Sequence, residues 1–231
     1  MSLARRLAVV PARGGSKGVP RKNLQVVAGQ SLVARAVRCA IEAGIFDEVM
    51  VSTDDDEIAA AGVAAGAAVP FRRGAAASGD LASSTDVLRD VLAAYDARGD
   101  RHDTLALVEP TSPMRTANDL LRTVEAAEAD GWDAAVTLSE VSRSFHPDKQ
   151  FRLGVEDRAE FCTAAGPAIV ARQQLDPTYI RNGMCYAVRA AVIRGGGAIF
   201  GTRLRAIVID RPYVNIDSPG DVAKAREMLG A

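Results

Sequence analysis

What most restricts the folds open to this chain is a repeated alternation of short apolar runs with longer segments of helical periodicity. "LAVVPA" at residues 7–12 has the length and composition of a buried strand. In "SLVARAVRCAIEAG", Leu32, Val33, Ala36, Val37, Ala40 and Ile41 share one helical face, with a stop at Gly44. "EVMVST" (48–53) predicts the next strand and "DDDEIAAAGVAAG" the next helix, whose acidic opening suits the positive end of a helix dipole. The pattern continues through "SSTDVLRDVLAAYDARG", with Val87, Leu88, Val91, Leu92 and Tyr95 on one face. The strand "TLALV" (104–108), a helix around "NDLLRTVEAAEADG" and the strand "DAAVTL" (133–138) follow. Such alternation implies an α/β, three-layer architecture, a mostly parallel sheet with helices on both faces. Ligands in such sheets lie at the carboxyl ends of the strands.

Between residues 139 and 181 the rhythm breaks into short strand-like pieces and turn residues. This stretch is read as a small arm inserted within a single domain spanning 1–231, used for a partner subunit or for substrate. Alternation resumes with "GMCYAVRA", the strand "LRAIVI" (204–209) and a last helix opened by "DSPGDVAKAREML".

With 231 residues, 48% hydrophobic and 25% charged, the chain can bury a substantial core. Only 5% of residues are aromatic and no dense basic block exists, so polynucleotide binding is not expected. Cys39, Cys162 and Cys185 are odd in number, widely spaced and lack a C-x-x-C pair, which speaks against disulfides or structural zinc and for a reducing compartment. The apolar run after Arg5 and Arg6 is only about six residues long, short of a signal-peptide core or a membrane span. A cytoplasmic protein without membrane association is the expectation.

The first strand leads into "VVPARGGSKGVPRKN" (9–23), which carries Arg13, Lys17, Arg21 and Lys22 and no carboxylate, in a chain of net charge −1. The spacing fits neither the P-loop pattern nor the dinucleotide fingerprint, since the glycines fall at 14, 15 and 18. Gly14 and Gly15 nonetheless permit close approach of backbone N–H groups to phosphate oxygens, while Arg13, Lys17 and Lys22 can neutralise charge. Pro20 keeps the segment out of helix. Either an anion-binding loop or a solvated basic turn satisfies these residues.

"PARGGSKGVPRKN" resembles the first motif of the N-acylneuraminate cytidylyltransferases, the enzymes that make CMP-sialic acid. Further segments match in the same order: "VSTDDDEIA", "RRGAAASGDLASS", "EPTSPMR", "FHPDK", "RQQL", "NG" with a nearby Tyr, and "NIDSPGDV". The resemblance covers nearly the whole chain from residue 7. It implies a Rossmann-like nucleotidyltransferase fold, a homodimer, and a reaction in which the anomeric hydroxyl of a sugar acid attacks the α-phosphorus of CTP with Mg²⁺ assistance. By the same resemblance, Arg13, Lys17 and Lys22 would hold the triphosphate, with Ala12, Gly14, Gly15 and Asn23 completing the nucleotide site. Arg73 and Ser84, eleven residues apart, would read the cytosine. Asp217, assisted by Asn215, would ligate Mg²⁺. Glu109, Thr111, Ser112, Lys149, Arg172, Gln173 and Asn182 would face the sugar acid.

Isolated from that pattern, Asp217 before Ser-Pro is also a good turn or N-cap residue, and the aspartates of "STDDDE" are best explained as helix caps. His146 suits either a substrate contact or a turn before Pro147. The chain departs from the family where Glu109 replaces an amide and where Asn215 replaces an acidic residue. Asn can ligate Mg²⁺ through its carbonyl oxygen but brings no charge. A legionaminic, pseudaminic or related nonulosonic acid is therefore as compatible as sialic acid. Another acceptor such as a phosphonate, a nucleotidyltransferase for another base, and a non-catalytic nucleotide-binding homologue are the rivals.

Overall fold

The structure is a computed structural model that describes residues 4–74, 79 and 82–230. The chain falls into two compact units. The first comprises Met1–Thr137, Asn182–Ile207 and Pro212–Ala231, and the second Leu138–Arg181 with Val208–Arg211. Of the "RRGAAASGDLASS" segment, the six residues 75–78, 80 and 81 lie outside the described residues.

In chain order the strands are β1 (Arg6–Pro11), the short hairpin β2 (Val26–Val27) and β3 (Gln30–Ser31), β4 (Glu48–Ser52), β5 (Thr104–Leu107), β6 (Ala134–Glu140), β7 (Phe151–Leu153), β8 (Ala159–Phe161), β9 (Tyr179–Arg189) and β10 (Leu204–Val208). The helices are α1 (Leu32–Glu42), α2 (Asp56–Ala64), α3 (Ser84–Ala97), α4 (Ala117–Glu128), α5 (Ala190–Arg194) and α6 (Pro219–Met228). Six strands form a mostly parallel sheet in the order β10-β6-β9-β5-β1-β4.

β1 lies between two parallel neighbours, with Leu7 opposite Glu48 on β4 and opposite Leu105 on β5. Leu7, Ala8, Val9 and Val10 are all fully buried, which is why the strand reads as a continuous apolar run rather than an alternation. The chain leaves β1 toward β4 on one side and returns to β5 on the other. That reversal opens a crevice at the carboxyl end of β1. β9 runs antiparallel to β5, with Leu107 opposite Tyr186.

The helix faces follow the sequence periodicity closely. α3 buries Val87, Leu88, Val91, Leu92 and Tyr95. α1 buries Leu32, Val33, Ala36, Val37 and Ala40, but Ile41 is exposed, so the apolar stripe is one residue narrower than its periodicity predicts. Asp55 caps α2 by accepting from the N–H groups of Glu57 and Ile58, in accord with the capping reading of "STDDDE".

Gly62 sits inside α2 where an added Cβ would stand 2.6 Å from Val51 Cγ2. A solvent-facing Gly-to-Ala change in a helix gains about 1 kcal/mol, whereas forcing a methyl into a packed contact costs about 1–3 kcal/mol. The second effect wins here. Gly62→Ala is expected to lower the denaturation midpoint; an increase would show that α2 can shift off β4 without penalty.

In the second unit, β7 and β8 pair antiparallel, with Phe151 opposite Phe161 and their rings 4.3 Å apart. His146 is buried and acts as a turn residue: its Nδ1 accepts from the N–H of Asp148, and its Nε2 lies 3.0 Å from the Asp176 carbonyl. Among the described residues no helix is long and apolar enough to cross a membrane.

Candidate active site

The basic loop leaves β1 and is held in place by backbone contacts from the neighbouring strand end. The Ala12 N–H donates to the Ser52 carbonyl at 3.0 Å, and the Gly14 N–H donates to Asp54 Oδ1 at 2.9 Å. Asn23, buried at the far end of the loop, donates from Nδ2 to the Arg13 carbonyl at 3.0 Å and so closes the segment on itself. Val19 is buried in an apolar cluster with Val214, Ile216 and Val222. This fastens the loop to the stretch that precedes α6.

That fastening brings Asp217 beside Lys22. Lys22 Nζ donates to the Ile216 carbonyl at 2.8 Å and to Asp217 Oδ1 at 3.0 Å. The Asp217 side chain is 82% exposed. It does not cap α6, because Ser218 does so in a capping box completed by Asp221, whose carboxyl is held below its ordinary pKa chiefly by the Ser218 hydroxyl. The cap alternative for Asp217 is thereby assigned to its neighbours. Gly18 lies against the same residue: a Cβ there would stand 2.3 Å from the Asp217 carbonyl oxygen.

Arg73 is anchored under the opposite wall. It is buried, and its Nε and Nη2 donate to the Ser52 hydroxyl at 3.0 Å and to the Ser52 carbonyl at 2.6 Å. Burial pulls its pKa down from the usual guanidinium value, with Asp54 acting in the opposite sense. Ser83 caps α3, again in a capping box, with Asp86. Ser84 is the first helical residue and lines the cleft with Arg73.

After β5, the loop 109–116 is braced by Arg115, which is buried and donates to the carbonyls of Met184 and Glu109. Thr116 caps α4 in a capping box with Asp119. Thr111 accepts from the Ile216 N–H through its carbonyl at 2.9 Å.

These elements enclose a cleft of about 390 Å³ at the carboxyl ends of β1, β4 and β5. It brings together Arg13, Lys17, Lys22, Asn23, Arg73, Ser84, Glu109, Thr111 and Asp217 of the expected site. Four cations face two carboxylates among its lining residues, so the cleft favours an anionic ligand. Its volume falls in the range of small-molecule sites.

Other expected residues lie elsewhere. Ala12, Gly14 and Gly15 are not among the side chains lining the cleft; Ala12 and Gly14 serve through the backbone contacts just described. Ser112 is buried and donates to Asn215 Oδ1 at 2.6 Å, so the two satisfy one another away from the cleft wall. Asn182 is fully buried, its Oδ1 accepting from Thr137 at 2.6 Å and from the Met184 N–H at 3.1 Å. The structure thus places this amide within the sheet and not on the cleft wall. Lys149, Arg172 and Gln173 are exposed on the second unit, where Lys149 and Arg172 line a separate groove of about 310 Å³ with Phe151 and Phe161.

Sequence reasoning missed Ser52 and Asp54, which position Arg73 and the glycine loop, and the contact of Gly18 with Asp217. The position of Ser52 and Asp54 at the carboxyl end of a predicted strand was the available signal.

Residues 7–194 match the family described as cytidylyltransferase. The chain is 30% identical over 96% of its length to the CMP-N,N'-diacetyllegionaminic acid synthase of Legionella pneumophila, covering 95% of that protein. It is 36% identical over 52% of its length to the pseudaminic acid cytidylyltransferase of Campylobacter jejuni, of which the match spans about half, 51%. It is also 31% identical over 82% of its length to N-acylneuraminate cytidylyltransferase A of Danio rerio, spanning 42% of that protein. Among solved structures, CMP:2-keto-3-deoxy-manno-octonic acid synthetase complexed with CTP superposes with a TM-score of 0.75 at 19% identity, covering 98% of this chain and 99% of that one. The 4-diphosphocytidyl-2C-methyl-D-erythritol synthase of Anaerococcus prevotii gives 0.68 at 12% identity, with 99% of each chain covered. The two structural matches carry the fold, and the family match with the full-length Legionella relative carries more: this chain belongs to the cytidylyltransferase family.

Proposed function

We propose that this chain transfers CMP from CTP to the anomeric hydroxyl of a nonulosonic, sialic-acid-like sugar acid and releases pyrophosphate. The observation that carries the reading is the cleft at the end of β1, where Arg13, Lys17 and Lys22 stand with Asp217 and with the buried Arg73. Relatives whose names state pseudaminic, legionaminic and acylneuraminic acids favour an acid of that class.

In the proposed reaction the sugar hydroxyl oxygen forms a bond to the α-phosphorus, and the bond from that phosphorus to the pyrophosphate oxygen breaks. No protein nucleophile is required. The chain's contribution is positioning and charge stabilisation. Arg13 and Lys17 would bind the triphosphate, and Lys22, fixed through the Ile216 carbonyl, would stabilise charge as the phosphorus is attacked. Arg73, its guanidinium oriented by Ser52, and Ser84 would recognise the cytosine edge.

Mg²⁺ fits this site through Asp217, an exposed carboxylate on the cleft wall. Asn215 fits it less well, since its Oδ1 already accepts from Ser112 and it does not line the cleft. When bound, Mg²⁺ would neutralise triphosphate charge and polarise the phosphoryl oxygens.

A homodimer is part of the proposal. The second unit exposes Phe151, Leu153, Val155, Phe161 and Val170 on and beside the β7–β8 hairpin, a concentration of apolar surface that an isolated chain rarely leaves in water. Its exposed Lys149 and Arg172 would suit the acid's carboxylate. A reducing, cytoplasmic setting accords with three cysteines that are all free thiols.

Nucleotide selectivity tests the assignment of the base pocket. CTP is expected to support pyrophosphate release well above UTP or GTP. Arg73→Lys, which keeps a charge but loses the planar fork, is expected to reduce kcat/KM for CTP by about 10- to 100-fold, the size of one or two lost hydrogen bonds to a charged donor. Faster turnover with UTP or GTP in the unaltered chain would remove Arg73 and Ser84 from cytosine recognition.

A further inference from the structure

At the amino ends of β1, β4 and β5, the end of the sheet opposite the cleft, the first unit contains a cluster that the proposed reaction does not use. Glu48 opens β4, and Asp100 and His102 lie in the turn before β5. One ligand atom from each of the three lies within 4.8 Å of the others.

His102 is the unusual member. It is fully buried, and neither Nδ1 nor Nε2 has a hydrogen-bond partner. Its ring is T-shaped to that of Tyr95, centroids 5.0 Å apart. Buried polar nitrogens left this way are rare, and an ordered water or a bound ion is the usual partner. The carboxylates are oriented by neighbours: Tyr95 donates to Glu48 Oε1 at 2.5 Å, and Arg5 pairs with Asp100 Oδ1. Each keeps its second oxygen for another partner.

We propose that Glu48, Asp100 and His102 form a structural site for a divalent transition-metal ion, with Zn²⁺ the best fit. One imidazole nitrogen and two carboxylate oxygens, completed by water, make a four-coordinate set of the kind zinc takes. Mg²⁺ and Ca²⁺ prefer all-oxygen shells and fit poorly here. Zinc bonds of about 2.0–2.2 Å require the three atoms to draw closer than 4.8 Å, which rotation of the Glu48 and Asp100 side chains can supply. Tyr95 and Arg5 then play the outer part, orienting the carboxylates and balancing their charge. The ion would tie the start of β4 to the turn leading into β5 and, through Arg5, to the start of β1.

The test is Co²⁺ titration of chelator-stripped protein, read by visible ligand-field absorption and by displacement with Zn²⁺. One zinc-displaceable equivalent is expected, without the thiolate charge-transfer bands that cysteine ligation would produce. His102→Gln is expected to weaken Co²⁺ binding at least about tenfold and to abolish the rise in Tm that Zn²⁺ gives the unaltered chain. Asp217→Asn is expected to leave both signals intact, which separates this site from the cleft. If His102→Gln does not fold, Glu48→Gln, which keeps an acceptor for the Tyr95 hydroxyl, carries the comparison. Absence of zinc-displaceable absorption in the unaltered chain, or equal absorption in the folded variant, would overturn the proposal.

Discussion

Asp217→Asn is expected to lower kcat by about 10²- to 10³-fold, the cost of removing one principal electrostatic contact to a transferring phosphoryl group, while thermal unfolding stays where it was. The two halves of this expectation have separate causes. Activity should fall because Asp217 is the carboxylate on the cleft wall that suits a divalent cation, and the amide that replaces it brings no charge. Stability should hold because the side chain is 82% exposed and its partner, Lys22, keeps the Ile216 carbonyl. Exposed ion pairs contribute little. The helix that follows is capped by Ser218 and Asp221, which the substitution leaves untouched. Kinetic constants and a melting curve on the same preparation decide it. A marked drop in Tm with kcat retained would return Asp217 to a structural role.

The second large effect is expected from a single methyl. Gly18→Ala would place a Cβ 2.3 Å from the Asp217 carbonyl oxygen, which is backbone and cannot rotate away. The basic loop and the Asp217 segment must then separate, and the first carries the cations proposed to hold the triphosphate, the second the carboxylate proposed to hold Mg²⁺. Displacements of about 1 Å in a positioning site cost on the order of 10²-fold in rate. A loss of that size in kcat/KM is therefore expected. An unchanged kcat/KM in the folded variant would mean that the close approach of Gly18 to Asp217 does not position the site.

Which parts of this protein could be read from its sequence depends on the range of the interactions involved. Val87, Leu88, Val91, Leu92 and Tyr95 announce α3 because i, i+3 and i+4 positions meet on one helical face. The buried run of β1 is equally plain, and so is the position of its loop at a strand's carboxyl end. The reversed direction of β9 left no mark, since a strand covered on both faces shows the same apolar composition whichever way it runs. Contacts between distant segments were also hidden. Ser52 on Arg73, Asp54 on Gly14 and Ser112 on Asn215 join residues that are 21, 40 and 103 positions apart. Family resemblance grouped Arg73, Lys22 and Asp217, which the structure gathers in one cleft, yet it could not show that Asn182 is buried or that Ser83 caps its helix. In each case the residue type suits two roles, and only packing separates them.

The measurement that tests the central claim most directly is pyrophosphate release from CTP and Mg²⁺, with acid added or withheld, across N-acetylneuraminate, deaminated neuraminate, legionaminate, pseudaminate and a simple phosphonate. The account predicts release that depends on one of the nonulosonic acids, with the matching CMP-sugar acid as co-product. CTP binding without acid-dependent release across those sugar acids, or release with the phosphonate alone, would contradict it.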